Sequence, residues 1–173
     1  VVPPGSGALR FTYTTGLGDP RRDGNLLSVF DGAGRLSESF GYSGATDPLH
    51  LDYDVCVSHD RNRIGTTGQV CVMSREPLSA DQQPYGGYRV FEVDEIGRVS
   101  EFVCDAMHRT VSRKIYTGFA SPGTPVSSTT LALTGKLRAT DPDWFEYSCD
   151  FNADHLCNRY TQPDGSQALV TYE

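Results

Sequence analysis

The sequence predicts an all-β, mostly antiparallel fold built of repeated β-hairpins, with very little helix; a β-sandwich is the alternative arrangement of the same strands. Three observations carry this. First, a phrase recurs 63 positions apart: Asp31, Gly34, Arg35, Leu36, Ser37 and Glu38 correspond to Asp94, Gly97, Arg98, Val99, Ser100 and Glu101. Second, nine Tyr, eight Phe, 18 Gly and 10 Pro suit strands and turns, because aromatic rings fit a pleated, half-buried surface and Gly and Pro punctuate it. Third, no long stretch spaces apolar residues at i, i+3, i+4 and i+7, as a core-facing helix requires. The 173 residues are enough to bury a core, so 1–173 reads as a single β-rich domain or a fragment of a larger repeat array.

The elements are taken in chain order. After a Pro- and Gly-rich opening, Leu9, Phe11 and Tyr13 alternate and share one face of a strand. Gly16 to Gly24 is a turn. In 25–42, Leu26, Leu27, Val29 and Phe30 precede Asp31 while Leu36 and Phe40 come after it, which makes a hairpin around an Asp-x-x-Gly turn. The Asp side chain accepts nearby backbone NH groups, and Gly takes the positive φ at the end of such a turn. A loop at 43–48 leads into 49–57, whose alternating Leu, Tyr and Val predict a half-buried strand. The polar stretch 59–68 reads as turn, 69–73 as strand and 76–87 as a long loop. The second hairpin, 88–103, carries the second copy of the phrase.

Cys104 and Asp105 then open a degenerate third copy, with His108 where Gly stands and Arg109 in the place of Arg35 and Arg98. By composition 119–130 is an internal loop or linker, and 131–137 a strand. The fourth copy is aligned on Cys149 and Asp150, and Pro163, Asp164 and Gly165 form its second turn, in which Pro presets φ and Gly supplies the positive value. The turn residues Asp31, Gly34, Arg35, Asp94, Gly97, Arg98, Asp105, Asp150, Pro163, Asp164 and Gly165 are read as structural. Arg35 and Arg98 are expected to bond turn carbonyls or the Asp of a neighbouring copy.

The frame aromatic-Asp-x-x-Gly-Arg-Leu at Phe30 to Leu36, together with Tyr160, Pro163, Asp164, Gly165, Val170, Thr171, Tyr172 and Glu173, resembles the YD repeat of the RHS family. That resemblance implies strands coiled into a β-shell, as in bacterial polymorphic toxins and insecticidal toxin complexes. It also implies a non-enzymatic structural or interaction module of a secreted or cell-surface protein.

Charge and cysteines bound the partners. A net charge of −7 excludes a nucleic-acid partner, since a phosphate backbone demands a concentrated basic face. No apolar run reaches the ~20 residues of a membrane span, so no membrane insertion is expected. The opening Val1, Val2, Pro3 and Pro4 lacks an initiator Met and a signal-peptide pattern, which reads as a processed chain. Five cysteines leave one for an intermolecular contact if the others pair; Cys56 with Cys71 and Cys149 with Cys157 are the hairpin-spanning pairs, leaving Cys104. Disulfides favour an oxidising compartment.

Candidate chemistry is sparse. His50, His59, His108 and His155 accompany many Ser and Cys, but no Gly-x-Ser-x-Gly elbow is present, so a small secreted hydrolase is the third reading and no catalytic residue is assigned. His50, Asp52 and Asp54 would share a strand face near His59, a pattern that alternation alone explains. Asp150, Asn152 and Asp154 place oxygen side chains at alternate positions, as a calcium site does; otherwise no cofactor is expected. Trp144 and Tyr147 are the candidate ligand platform. They underlie the second reading, a compact secreted sandwich that binds carbohydrate or another ligand.

Overall fold

A computed structural model describes residues 7–61, 70–79 and 87–172. The Pro-rich opening, the turn-rich 62–68, most of the loop read at 76–87 and Glu173 lie outside these. The fold is all-β, and strand order in the antiparallel sheet follows chain order with no closure. No helix of the described residues is long and apolar enough to cross a membrane. By contacts the chain divides into two units, Val1–Met73 and Ser74–Glu173, and the division falls inside a strand.

In the first unit, β1 (Arg10–Tyr13), β2 (Leu26–Phe30), β3 (Leu36–Tyr42) and β4 (Cys56–Arg61) pair in succession. The start of β5 (Val70–Pro77) adds to β4 through Ser58 opposite Val72 and Asp60 opposite Val70. Most side chains here are half-buried, and Val72 alone among the described residues of this unit is a buried hydrophobe.

The strand expected at 49–57 is instead a run of turns. Leu49 NH bonds the Asp47 carboxylate, and successive NH groups at His50, Tyr53 and Val55 reach back three residues to Asp47, His50 and Asp52. Asp54 has a φ of 58°, and Leu49 is 93% exposed. The alternation was real, but the Asp47 carboxylate and His50 Nδ1 each accept an NH two residues on, local bonds that compete with extended pairing, and Asp54 is left-handed. The strand begins at Cys56, one residue before the expected stretch ends, and continues through His59 to Arg61.

In the second unit, β6 (Gly87–Val93), β7 (Arg98–Asp105), β8 (Thr110–Phe119), β9 (Trp144–Phe151), β10 (Cys157–Thr161) and β11 (Gln167–Leu169) pair in order. One face carries Phe91, Val93 and Val99, all nearly inaccessible. The segment expected as an internal loop or linker at 119–130 is irregular after Phe119 and mostly exposed, but two of its residues join this core. Ala120 NH bonds Gly97 O at 2.8 Å, Ser74 Oγ bonds Val126 O, and both Ala120 and Val126 are buried. The stretch 131–137 forms no strand; it contributes the isolated bridge of Thr134 with Phe119.

Candidate functional site

Five hairpin ends share one backbone geometry. In residues 31–35, 94–98, 105–109, 152–156 and 162–166 the first NH donates to the fifth carbonyl at 2.9–3.0 Å, and the fourth NH donates to the first carbonyl at 2.8–3.0 Å. The fourth residue has positive φ each time: Gly34 78°, Gly97 88°, His108 63°, His155 64° and Gly165 81°. This is a type I turn followed by a left-handed residue that makes the bulge of a three-residue hairpin loop.

The first side chain completes four of the five. Asp31 Oδ1 accepts the NH groups of Ala33 and Arg35, both at 2.9 Å. Asp94 Oδ1 accepts those of Ile96 and Arg98, and Asp105 Oδ1 those of Met107 and Arg109. In the fifth turn Gln162 opens, and Asp164 substitutes by accepting Ser166 NH at 2.9 Å. Pro163 and Asp164 thus occupy the second and third positions of that turn, before Gly165.

The fourth turn corrects the sequence alignment. Its opening residue is Asn152, whose Oδ1 accepts the NH groups of Asp154 at 3.0 Å and Leu156 at 2.9 Å. Asp150 stands within β9 and pairs with Arg159. Cys149 and Asp150 imitate Cys104 and Asp105, but the useful signal was Phe151 before Asn152, the same aromatic-then-Asx order as Phe30 before Asp31. Asn152 is committed to the turn and Asp150 to Arg159, so two of the three candidate calcium ligands are engaged elsewhere. Among the described residues no three His, Cys, Asp or Glu side chains gather to hold a metal.

The arginines act differently from the expected pattern. Arg35 and Arg109 turn back onto their own Asp rather than a neighbour's: Arg35 Nε lies 2.7 Å from Asp31 Oδ2, and Arg109 Nε 2.7 Å from Asp105 Oδ2. The Arg35 guanidinium and backbone NH hold the Asp31 carboxyl below the usual range. At Asp105 burial opposes ionisation, but the Arg109 guanidinium and the turn NH groups outweigh it and also lower its pKa. Arg98 contributes its backbone NH to Asp94. Arg109 also reaches the next hairpin end at that edge, with Nη1 3.0 Å from His155 Nδ1 and its guanidinium 4.5 Å from the Phe151 ring centroid.

The other histidines are dispersed. His50 Nδ1 accepts Asp52 NH, Asp54 accepts from Asn25, and His59 stacks on Phe40 at 4.5 Å with Nε2 3.0 Å from Glu38. His108 Nδ1 lies 3.2 Å from Tyr88 Oη. None of these arrangements joins a His to a Ser or Cys nucleophile.

Cys149 and Cys157 are bridged, with Cα atoms 6.2 Å apart. Cys56 and Cys71 do not bridge, since the register sets Cys71 opposite His59. Cys104 is buried, with Sγ 3.8 Å from Thr110 Oγ1.

Trp144 and Tyr147 occupy opposite faces of β9, because three positions separate them and the β8–β9 register is unbroken. The expected single platform is therefore two places. Tyr147 stacks with Tyr160 (6.1 Å between centroids) beside a cavity of about 320 Å³ that Arg113 also lines. Trp144 stands against Tyr116 (6.0 Å), with Lys114 Nζ 5.0 Å from its ring centroid. A second cavity of about 320 Å³ opens here, between these rings, Leu131, Leu133 and the ion pair of Lys136 and Asp143.

Behind Tyr116 runs a buried ionic chain that sequence reasoning missed. Arg89 Nη1 lies 2.7 Å from Glu76 Oε1, and Arg89 Nε 2.7 Å from Glu101 Oε1; the second contact is close but misaligned for a hydrogen bond. Glu101, 3% exposed, accepts the Tyr116 hydroxyl. Burial and then this bond to Glu101 push the Tyr116 hydroxyl well above the ordinary tyrosine range. Burial works against ionisation of Glu76, but Ser128 and Arg89 hold its carboxyl below its usual value. A lone buried carboxylate is costly, and here Arg89 and Tyr116 offset that cost. Only Glu101 of this chain lay in a recognised motif, as the last residue of the phrase.

Compared with known proteins, the chain matches no protein-family model, and no curated protein matches it.

Proposed function

We propose that this chain is a non-enzymatic structural and interaction module of YD-repeat type, belonging to a secreted or surface protein. The observation that carries the reading is the repetition of one hairpin end five times along strands whose sheet order is their chain order. Each Asp, Asn or αL residue is spent on its own turn, so the recurring positions serve the backbone and leave the intervening ones free to vary. The disulfide between Cys149 and Cys157 supports an oxidising compartment. Partners of such a module are proteins or glycans, met through the strand faces.

Amide hydrogen exchange tests this. In a quasi-one-dimensional stack each hairpin leans on its neighbours and opening starts from the ends. Protection should therefore peak in β6 to β8 and decline stepwise through β9, β10 and β11. A single cooperative protection class from β6 to β11, as a closed sandwich would give, overturns the reading.

A further inference from the structure

The geometry points to a binding site for one neutral saccharide ring in the cavity beside Trp144, a property separate from the scaffold role. At about 320 Å³ the cavity lies at the small end of ligand pockets, about 300–1,000 Å³, which suits one sugar unit rather than a chain. Its lining has two kinds of wall. Tyr116, Trp144, Leu131 and Leu133 offer apolar surface for the C–H face of a pyranose. Tyr116 presents only its ring, because its hydroxyl is given to buried Glu101. The chain from Glu76 through Arg89 to Glu101 fixes that ring from behind, the kind of support that keeps a binding wall in place.

The polar wall is the pair of Lys136 and Asp143. Lys136 Nζ donates to Asp143 Oδ1 at 2.6 Å and to Asp141 O at 3.1 Å, which leaves one of its three donors. The Asp143 carboxylate is 71% exposed and keeps further lone pairs. An ammonium and a carboxylate side by side match a vicinal diol, one hydroxyl accepting while the other donates. Charge chooses the ligand class: the charged side chains of the lining, Lys136 and Asp143, neutralise each other, so the cavity offers no net charge to an anion or a cation. A neutral polyhydroxylated ring requires none. A Cβ at Gly118 would lie 3.0 Å from Leu133 Cβ and 2.9 Å from Gly135 O, so glycine there keeps the Leu133 wall in position.

The chain contains one tryptophan, and it lies in this cavity 42% exposed, so its fluorescence reports occupancy directly. Glucose, galactose, mannose and N-acetylglucosamine are titrated into the full chain, with glucuronate and glucosamine as charged probes. At least one neutral sugar should give a saturable one-site change, with both charged probes about tenfold weaker. Lys136→Met and Asp143→Ala should each weaken it about tenfold, as loss of one charge-assisted hydrogen bond does, with unchanged circular dichroism. Saturation-transfer NMR on the unaltered protein provides a check independent of the variants and should light up one C–H face of the sugar. Silence of all four neutral sugars in both measurements, tighter binding of a charged probe, or undiminished binding by both folded variants overturns the proposal.

Discussion

Gly34 and Gly97 hold the same place in the same phrase, with φ values of 78° and 88°, yet they meet different surroundings. A Cβ added at Gly34 would find nothing within 4 Å, whereas one at Gly97 would lie 2.2 Å from the Ala120 carbonyl oxygen. The contrast continues to the end of the phrase. Glu38 has a 40% exposed side chain that pairs with His59, while Glu101 is almost wholly buried against Arg89 and Tyr116. One local grammar thus carries two energetic weights, and the weight is decided by whether a later segment folds over the turn. At Gly97 that segment is the stretch from Ala120 to Val126.

Substitutions at paired positions can break this contrast. The largest effect is expected for Gly97→Ala, where left-handed strain and overpacking against backbone together cost about 3–5 kcal/mol. Gly34→Ala meets the strain alone and should cost about 1–2 kcal/mol. Urea denaturation of both variants measures this, and equal losses would show that the fold over Gly97 adds nothing. Next is Glu101→Ala, which leaves Arg89 with one carboxylate and Tyr116 without its acceptor and should cost about 3 kcal/mol. The partly exposed Glu38→Ala should cost under about 1 kcal/mol.

The smallest effect concerns the turn aspartates in acid. The Asp105 carboxyl is held below its ordinary value of 3.8, so its contribution is complete above that value and is lost as pH falls through the lower, folded value. Asp105→Asn keeps an Oδ1 for Met107 and Arg109, as Asn152 does in its own turn, but gives up the charge on Arg109. It should remove about 1 kcal/mol at neutral pH and flatten the acid limb of a stability–pH curve. Asp31, whose side chain is 32% exposed against 12% at Asp105, is also held below its usual value by Arg35, so Asp31→Asn should flatten the acid limb in the same direction but by less. Identical acid limbs for the two variants would place the charge effect elsewhere.

Much of the fold was legible because turn chemistry is local. Asp31, Asp94, Asp105 and the Pro163-Asp164-Gly165 turn announce themselves within five residues, and each stands at a hairpin end. The fourth turn was misread by two positions, since Asp150 after Cys149 copied Asp105 after Cys104 while Asn152 and His155 supplied the geometry. Residues 49–57 alternate like a strand, yet Asp47 and His50 bond local backbone NH groups and Asp54 is left-handed, which period-two reasoning ignores. The candidate site was less visible. Trp144 stood out as the lone indole, but Glu76, Arg89, Glu101 and Tyr116 meet only through strand register, and no spacing in the sequence marks them as a set. The same register separates Trp144 from Tyr147.

A sheet whose neighbours in space are its neighbours in the chain has a consequence for descent. Removing or duplicating two successive strands restores the antiparallel alternation and presents the same kind of edge to the next strand. Turns that carry their own hydrogen bonds, as at Asp31 and Asn152, need no partner hairpin to be copied with them. Such a lineage can change length by whole hairpins through unequal crossing-over, with an uncovered left-handed position such as Gly34 open to Gly or His and a covered one such as Gly97 held to Gly.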